Sequence, residues 1–489
     1  MFDQDASVIV IGGGFAGLAL AAGLSRQGHT ALVLEALPGP IPALRGELLH
    51  PPGVAALSAL GLESAVRAAG ADEVVGFAAF ERDRAAPLPL DYPTGVGLGL
   101  EHGRLVDALF SRVTALPGVR VIRGARIARV LSEDGRAVGV ALEGGASFRA
   151  PLLVAADGRH SRMRKALGIE ASATLLSYTV GLVLPAPVTL PMPGRGHVFT
   201  GGPGPVLAYP FGDGRVRMNV DVSLDAPRGT AALREHLRLR YLHVVPEPLR
   251  TAMRQALDSG ELQICANHAI TTEVCAVPGA ALVGDAGGCS HPLTATGMTC
   301  ALHDVVTLLE AIAGHGVSDG ALVAYQRQRY RYVRARELFA QALYDVLRGA
   351  TPGARRMREG VFRYWRSPRA QRASMSILMG EQSDAMRFAA EYGRVIARAG
   401  RGVVADALDA RSLTVARDEL SGIYGEVRAC ATLGLDKALS TFAAEQSRGL
   451  RAPGASGVSG PLRRAAARWL RVPTFRPAPS PAGESRRAG

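Results

Sequence analysis

Residues 7–35 read SVIVIGGGFAGLALAAGLSRQGHTALVLE. Ser7 to Ile11 is an unbroken apolar run rich in β-branched residues, the pattern of a strand buried on both faces. Gly12, Gly13, Gly14, Phe15, Ala16 and Gly17 follow at once. LALAAGLSRQG then reads as an amphipathic helix ending at Gly28, and a second strand, Thr30 to Leu34, ends in Glu35. This is G-x-G-x-x-G in its full setting of strand, turn, helix, strand and acid. Each glycine has its own task. Gly12 permits the tight turn, Gly14 lets the backbone approach a pyrophosphate, and Gly17 lets helix and strand pack closely. The helix N-terminus offers unpaired N–H groups and partial positive charge to the phosphates. Glu35 stands 18 residues beyond Gly17, where a ribose hydroxyl is hydrogen-bonded. An acid there favours NAD or FAD over NADP.

The whole chain has 489 residues, 48% hydrophobic and 20% charged, which excludes a mostly disordered protein and a small disulfide scaffold. Its length suits about two to four domains. A bundle of membrane spans, which needs uncharged apolar runs of about 18 or more residues, is not expected; residues 171–194 carry no charge. There prolines 185, 187, 191 and 193 break the run, so it reads as a strand followed by a Pro-rich loop. The net charge is +13, and only Lys165 and Lys437 are lysines. Residues 451–489 hold eight arginines against one acid, Glu484, so the tail carries +7 and the other 450 residues only +6. A basic excess this mild outside the tail is weak evidence for nucleic acid, which is not an expected partner. The five cysteines form no C-x-x-C, as in a reduced cytosolic protein with buried thiols. The N-terminus carries acids where a signal peptide needs bases, so its apolar run is a core strand. The histidines show no ligand spacing, and no metal is expected.

Two further segments decide which dinucleotide is bound. The first, Leu152 to Ser161, is a buried strand ending in Asp157-Gly158, followed by a short basic helix. The second, Ala281 to Gly287, is a strand ending in Gly284-Asp285. After it come His291-Pro-Leu-Thr-Ala-Thr-Gly297 and a long helix from about Met298 to Ala313. A carboxylate at such a strand end can hold a ribityl hydroxyl. The N1–C2=O edge of a flavin becomes anionic on reduction, and a helix N-terminus beside it favours that form. The order of these segments along one chain points to FAD.

With these motifs in place, the sequence resembles the group A FAD-dependent monooxygenases of the p-hydroxybenzoate hydroxylase fold, and within them most closely the squalene epoxidases. Four segments carry the likeness. Arg45-Gly-Glu47-Leu-Leu-His50-Pro-Pro-Gly53 resembles R-x-x-G-E-L-L-Q-P-G-G, with the Arg displaced by two positions. Glu101-His102-Gly103-Arg104-Leu105 resembles H-G-R-F. Ala150 to Gly158 resembles A-P-L-x-V-x-x-D-G. Gly284-Asp285 through His291 to Thr299 resembles G-D…H-P-L-T-G-G-G-M-T. A weaker similarity runs through Ala342–Asp345, Arg358–Trp365 and Ser376–Gly380, so the resemblance spans about residues 5–395. It implies FAD contacts from Arg104, Asp285 and Met298, from Phe15, Ala16 and Glu35 around the fingerprint, and from the displaced Arg45. Asp157 and Gly297 join them on the motifs. The chain departs from the family at His50, where a Gln is usual, at Phe77, where a Tyr aligns, and at Thr294–Gly297, where two of three glycines are replaced. The N-terminal membrane anchor of the eukaryotic enzymes is not expected here. These departures place His50 and Phe77 as substrate-pocket candidates, with an ordinary loop histidine as the other reading of His50.

The expected fold is α/β: a doubly wound dinucleotide-binding FAD domain with an inserted antiparallel β-sheet substrate domain and a C-terminal helical region. The FAD domain takes 1–71, 99–170 and 271–335, the substrate domain 72–98 and 171–270, the helical region 336–450, and a disordered basic tail 451–489. Strands are expected at Tyr178–Leu184, Pro205–Tyr209 and Val216–Val222, and a meander at Val119–Ile122, Ala125–Leu131 and Ala137–Leu142. In the tail, GPLRRAAARWLRV is a candidate basic amphipathic helix for an anionic membrane.

The resemblance implies transfer of one oxygen from a flavin C4a-hydroperoxide to a C=C bond of a lipophilic terpenoid, squalene-like or polyene substrate, giving an epoxide. Hydroxylation of an aromatic or polyketide intermediate in secondary metabolism is the alternative within flavin chemistry. A peripheral membrane protein with structural FAD is the alternative outside it. No side chain is expected to act as acid, base or nucleophile. NAD(P)H is the expected electron source, directly or through a separate flavin reductase. The expected location is cytoplasmic, or peripheral at the cytoplasmic membrane face. A flavin halogenase is disfavoured, because Trp365 and Trp469 stand far apart and form no W-x-W.

Overall fold

The computed structural model describes residues 5–39, 46–81, 86–381, 385–410, 414 and 417–432. Arg45 and the basic tail lie outside these residues.

Val8–Ile11 is buried along its whole length and pairs in parallel with Ala31–Glu35 on one side and Leu152–Ala155 on the other. The sheet extends to six strands, in the order Ala276–Val277, Ala280–Leu282, Leu152–Ala155, Val8–Ile11, Ala31–Glu35, Val119–Arg123. All pairs are parallel except the first. The helix Phe15–Arg26 follows the first strand, and Gly297–His315 packs beside it. By length and composition the latter could span a bilayer, but most of it is buried in the core, Asp304 included. Asp304 is paired there with Arg329.

One expectation is corrected here. Val119–Arg123 is not the first strand of a meander; it is the parallel edge strand of the dinucleotide sheet. It follows the helix His102–Thr114, and a strand reached through a helical crossover returns parallel. The meander is Ile127–Glu133, Arg136–Leu142 and Ser147–Arg149.

A second sheet has eight strands, in the order Gly288–Cys289, Gln263–Thr272, Ala171–Val183, Val216–Val222, Val206–Pro210, Gly196–Phe199, Gly76–Phe80, Leu88–Asp91. Strands from both expected inserts share it. Gly196–Phe199 and Gly76–Phe80 run parallel, and every other pair is antiparallel. Alternation gives it two different faces. On one, Val180, Leu182, Val206, Ala208, Met218 and Val220 form a core with the helices Thr230–Arg240 and Leu249–Ser259. The other face carries Ser177, Thr179, Arg217, Asn219 and Asp221, then Leu207, Tyr209, Val198 and Phe77. The loop 291–296 and the helices Asp319–Arg348 and Pro352–Tyr364 contribute to the apolar clusters on that side. In the C-terminal helical region Tyr344, Phe362, Tyr364 and Trp365 are buried.

Candidate dinucleotide and substrate site

The glycine turn is built by two kinds of constraint. Gly12 has φ +110°, and a Cβ there would lie 2.5 Å from the Ala156 carbonyl oxygen. A Cβ at Gly17 would lie 1.9 Å from the Gly12 carbonyl oxygen. The protein's own backbone therefore excludes side chains at both. At Gly14 a Cβ would meet nothing within 4 Å. Open space over an extended residue that opens a helix is what a ligand approaching the backbone needs. Phe15 is buried in the first turn, and Ala16 faces the Gly284 turn. Glu35 reaches back to the same turn, where Oε2 accepts from Gly13 N at 2.7 Å and Oε1 from Leu37 N at 2.8 Å.

The strand order brings the ends of three neighbouring strands together here. Beside Gly12 lies Asp157, just past Leu152–Ala155. Its Oδ2 accepts from Met163 N at 3.1 Å, while Oδ1 is buried with no hydrogen-bond partner. A buried carboxylate oxygen without a donor is unfavourable, and a ligand hydroxyl would satisfy it. Next comes Asp285, in the turn Gly284–Gly287 after Ala280–Leu282. That turn is held from below, where Asp304 Oδ2 accepts from Gly284 N at 2.8 Å. Met298 is buried against Gly46, and Gly297 opens the long helix with free space around its Cα. These residues fit FAD: an open backbone turn for the pyrophosphate, carboxylates for ribose and ribityl hydroxyls, and a helix N-terminus for the flavin ring edge.

Arg45 lies outside the described residues. Arg104 pairs with Asp213 and donates to the Ala69 carbonyl at 2.6 Å, so its guanidinium braces two turns together. Arg159 had not been singled out. It donates to the Ala266 carbonyl at 3.1 Å, and its Nε lies 3.9 Å from Asp285. It thus links the Asp157 turn, the Asp285 turn and the eight-stranded sheet. Its position directly after Asp157-Gly158 was the available signal.

His50 is fully buried, not a solvated loop residue. Its Nε2 donates to the Thr294 carbonyl at 3.0 Å, and Nδ1 accepts from the Tyr92 hydroxyl at 2.8 Å. Burial pushes its pKa down to about 4, so the ring is neutral. Phe77 packs against both, with ring centroids 5.9 Å from His50 and 6.1 Å from Tyr92.

Sequence reading missed the charged group beside them. Glu47 and Arg217 form a buried bidentate pair, with Nε to Oε2 at 2.9 Å and Nη2 to Oε1 at 2.7 Å. Burial raises the Glu47 pKa, and the Arg217 bonds oppose that rise. Tyr209 donates to Glu47 at 3.1 Å, Asn219 donates to the Tyr209 hydroxyl at 2.8 Å, and Arg217 donates to Gln263 at 2.9 Å. Nearby, Ser177, His291 and Asp221 meet, with Tyr344 stacked on the imidazole at 3.8 Å. They do not form a nucleophilic triad. His291 Nδ1 already accepts from Leu293 N at 3.1 Å, and the Ser177 hydroxyl is bonded to Asp221. The cluster ties the 291–296 loop to the sheet.

Comparisons with known proteins agree with this geometry. A family model described as squalene epoxidase matches residues 149–392, and one described as an NAD(P)-binding Rossmann-like domain matches 10–42. Squalene epoxidase 2, mitochondrial, of Arabidopsis thaliana is 32% identical over 379 residues, covering 74% of this chain and 64% of the plant protein. This chain therefore spans just under two thirds of that relative's length. Squalene epoxidase erg1 of Aspergillus fumigatus is 32% identical over 381 residues, covering 74% of this chain and 79% of the fungal protein. Among solved structures, OxyS anhydrotetracycline hydroxylase of Streptomyces rimosus superposes with a TM-score of 0.61 at 21% identity, covering 76% of this chain and 75% of that one. At that identity the likeness speaks for the fold alone, a flavin monooxygenase fold. With the relatives' coverage and the motif geometry together, the chain belongs to the squalene epoxidase family.

Proposed function

We propose that the protein is an FAD-dependent monooxygenase that transfers one oxygen atom to a C=C bond of a lipophilic substrate of terpenoid, squalene-like or polyene type. The observation that carries this reading is the cradle at residues 12–17, 157 and 284–298, with its open turn and its unpartnered Asp157 Oδ1, on a chain of this family. When bound, FAD reduced at the expense of NAD(P)H supplies the activation of O2. The chain's own residues do the rest. Gly14 and the following N–H groups receive the pyrophosphate, Glu35 the adenosine ribose, and Asp157 and Asp285 the ribityl hydroxyls. The N-terminus at Gly297–Met298 stabilises negative charge on the ring edge. Phe77, Tyr92, Leu207 and Val198 supply apolar wall that excludes water. His50 stays neutral and orients Tyr92. A separate flavin reductase and a peripheral membrane contact complete the proposed setting, the latter suited to a lipophilic substrate.

The test is to incubate the FAD-loaded protein with a generic reductase, NADPH, squalene and related olefins. The expected result is a product heavier by one oxygen, with an epoxide in place of a double bond. Oxygen entering aromatic rings and no olefin would overturn the reading in favour of ring hydroxylation. That second reading draws on the buried polar groups around Arg217.

A further inference from the structure

We propose that Asp304, on the long helix Gly297–His315, is the positioning residue of the flavin turn: its carboxylate fixes the main chain of Gly284–Gly287 so that Asp285 is presented to FAD. This rests on the reading of residues 12–17, 157 and 284–298 as an FAD cradle and says what keeps that cradle in shape. Gly284, Ala286 and Gly287 are buried in the turn, and Asp285 is its one residue that is not. Gly284 has φ +59°, and a Cβ there would lie 3.2 Å from the Ala301 Cβ and 3.4 Å from the Ala16 Cβ. The backbone of the turn is answered from three directions. Asp304 Oδ2 accepts from Gly284 N at 2.8 Å, Arg164 Nη1 donates to the Ala286 carbonyl at 2.8 Å, and Thr272 Oγ1 donates to the Gly287 carbonyl at 2.7 Å. The bond to Gly284, just ahead of Asp285, is the one made by a carboxylate.

That carboxylate is expensive to bury. Asp304 and Arg329 are 2% and 6% exposed. Three donors converge on Asp304: Gly284 N on Oδ2, and Arg329 Nε at 3.0 Å with the Tyr332 hydroxyl on Oδ1. An ionised carboxylate accepts only, so it answers all three. Arg329 and Tyr332 stand three residues apart on one face of the helix Asp319–Arg348. From the same face the Tyr325 hydroxyl donates at 2.7 Å to the carbonyl of Leu282, the last residue of the strand that leads into the turn. Two donors on Oδ1 leave Oδ2 aimed at Gly284. Desolvation works against the pair, and apolar residues of similar volume often give equal or greater stability than a buried ion pair. What apolar side chains cannot supply is an acceptor for the Gly284 N–H. The pair is therefore explained by where Asp285 must stand, not by stability.

The decisive variant replaces both members of the pair, Asp304→Leu with Arg329→Met. Denaturant unfolding of the FAD-free protein reads stability, and quenching of flavin fluorescence on titration with FAD reads affinity. The double variant is expected to regain the stability that Asp304→Leu alone loses, yet to bind FAD about tenfold or more weakly than wild type, the order expected for one lost hydrogen bond to a charged group. Wild-type affinity in the folded double variant would overturn the proposal, because the pair would then serve stability alone. If the double variant does not fold, Tyr332→Phe decides. It takes one donor from Oδ1 and keeps the ion pair, the Gly284 bond and the ring stacked on His303. It should bind FAD a few-fold more weakly, and unchanged affinity there would equally overturn the proposal. Oxygen transfer is read separately, by product mass from wild type with olefins. Weakened FAD binding in the variants without oxygen transfer by wild type would leave Asp304's role standing and sink the monooxygenase reading. Oxygen transfer by wild type with unchanged FAD affinity in the variants would do the reverse.

Discussion

The dinucleotide cradle lies at the strand ends of the parallel sheet and the candidate substrate wall on a face of the eight-stranded one, and they are assembled in opposite ways. The cradle is backbone. Its turn is written in six consecutive residues, and its tightest contacts, Gly12 against Ala156 and Gly17 against Gly12, are main chain to Cα. The wall is side chain. Glu47 and Arg217 are separated by 170 positions, and His50 and Thr294 by 244. The first kind of site depends on local conformation, the second on burial and on charges that must find each other. They should therefore fail differently.

The largest expected effect is in the wall. Arg217→Met leaves Glu47 buried without its partner, and such a break costs about 3–5 kcal/mol. Denaturant unfolding should show that loss, and adding Glu47→Leu should recover most of it. If the single variant is as stable as wild type, the pair is not the buried element described.

The cradle can be split into its two kinds of glycine. Gly17→Ala should destabilise the protein even without FAD, because its Cβ collides with the Gly12 carbonyl. Gly14→Val should leave stability of the FAD-free protein within about 0.5 kcal/mol and still weaken FAD binding by about tenfold or more. Thermal melts with FAD removed, beside FAD titrations, separate the two. Equal behaviour of both variants would erase the distinction between packing and ligand glycines.

Next in size is a pH effect from His50. Its folded pKa, about 4, lies below the ordinary 6.5, so below pH 6.5 the unfolded chain binds the proton that the folded one refuses. Its contribution is complete above pH 6.5 and lost as the pH falls toward 4. The slope from one such group is at most about 1.4 kcal/mol per pH unit. His197, with a pKa likewise lowered to about 4 by burial, acts in the same window. Stability measured between pH 4 and 7 should flatten in His50→Gln without becoming level. An unchanged slope would mean that His50 is not held neutral by burial.

The smallest effect is expected from Phe77→Tyr. It adds one hydroxyl beside His50 and Tyr92, so relative turnover of two olefins should shift a few-fold while FAD content stays constant. A parallel change in both would remove Phe77 from the pocket.

Much of the cradle was legible in the sequence because its chemistry is short-range. The β-branched run at 8–11 and the glycine spacing each follow from what one strand, one turn and one helix require, and the structure shows that strand, turn and helix. Val119–Arg123 was misassigned because its short run is compatible with either a meander or a parallel edge strand. Only the crossover through His102–Thr114 distinguishes them. The motif offers Arg104 as an FAD contact, but its pairing with Asp213 could be read only from the fold, which brings that carboxylate near.

By itself, then, the sequence determined the dinucleotide turn, the family likeness and the β-rich insertion, all features whose energetics are settled within some thirty neighbouring residues. Tertiary structure alone decided that Glu47 meets Arg217, that His50 is neutral and bonded to Tyr92, and that Asp304 meets Gly284, Arg329 and Tyr332. The reason is physical: hydrogen bonding and desolvation act through space, and no periodicity along a chain records which distant polar groups will share a dry interior.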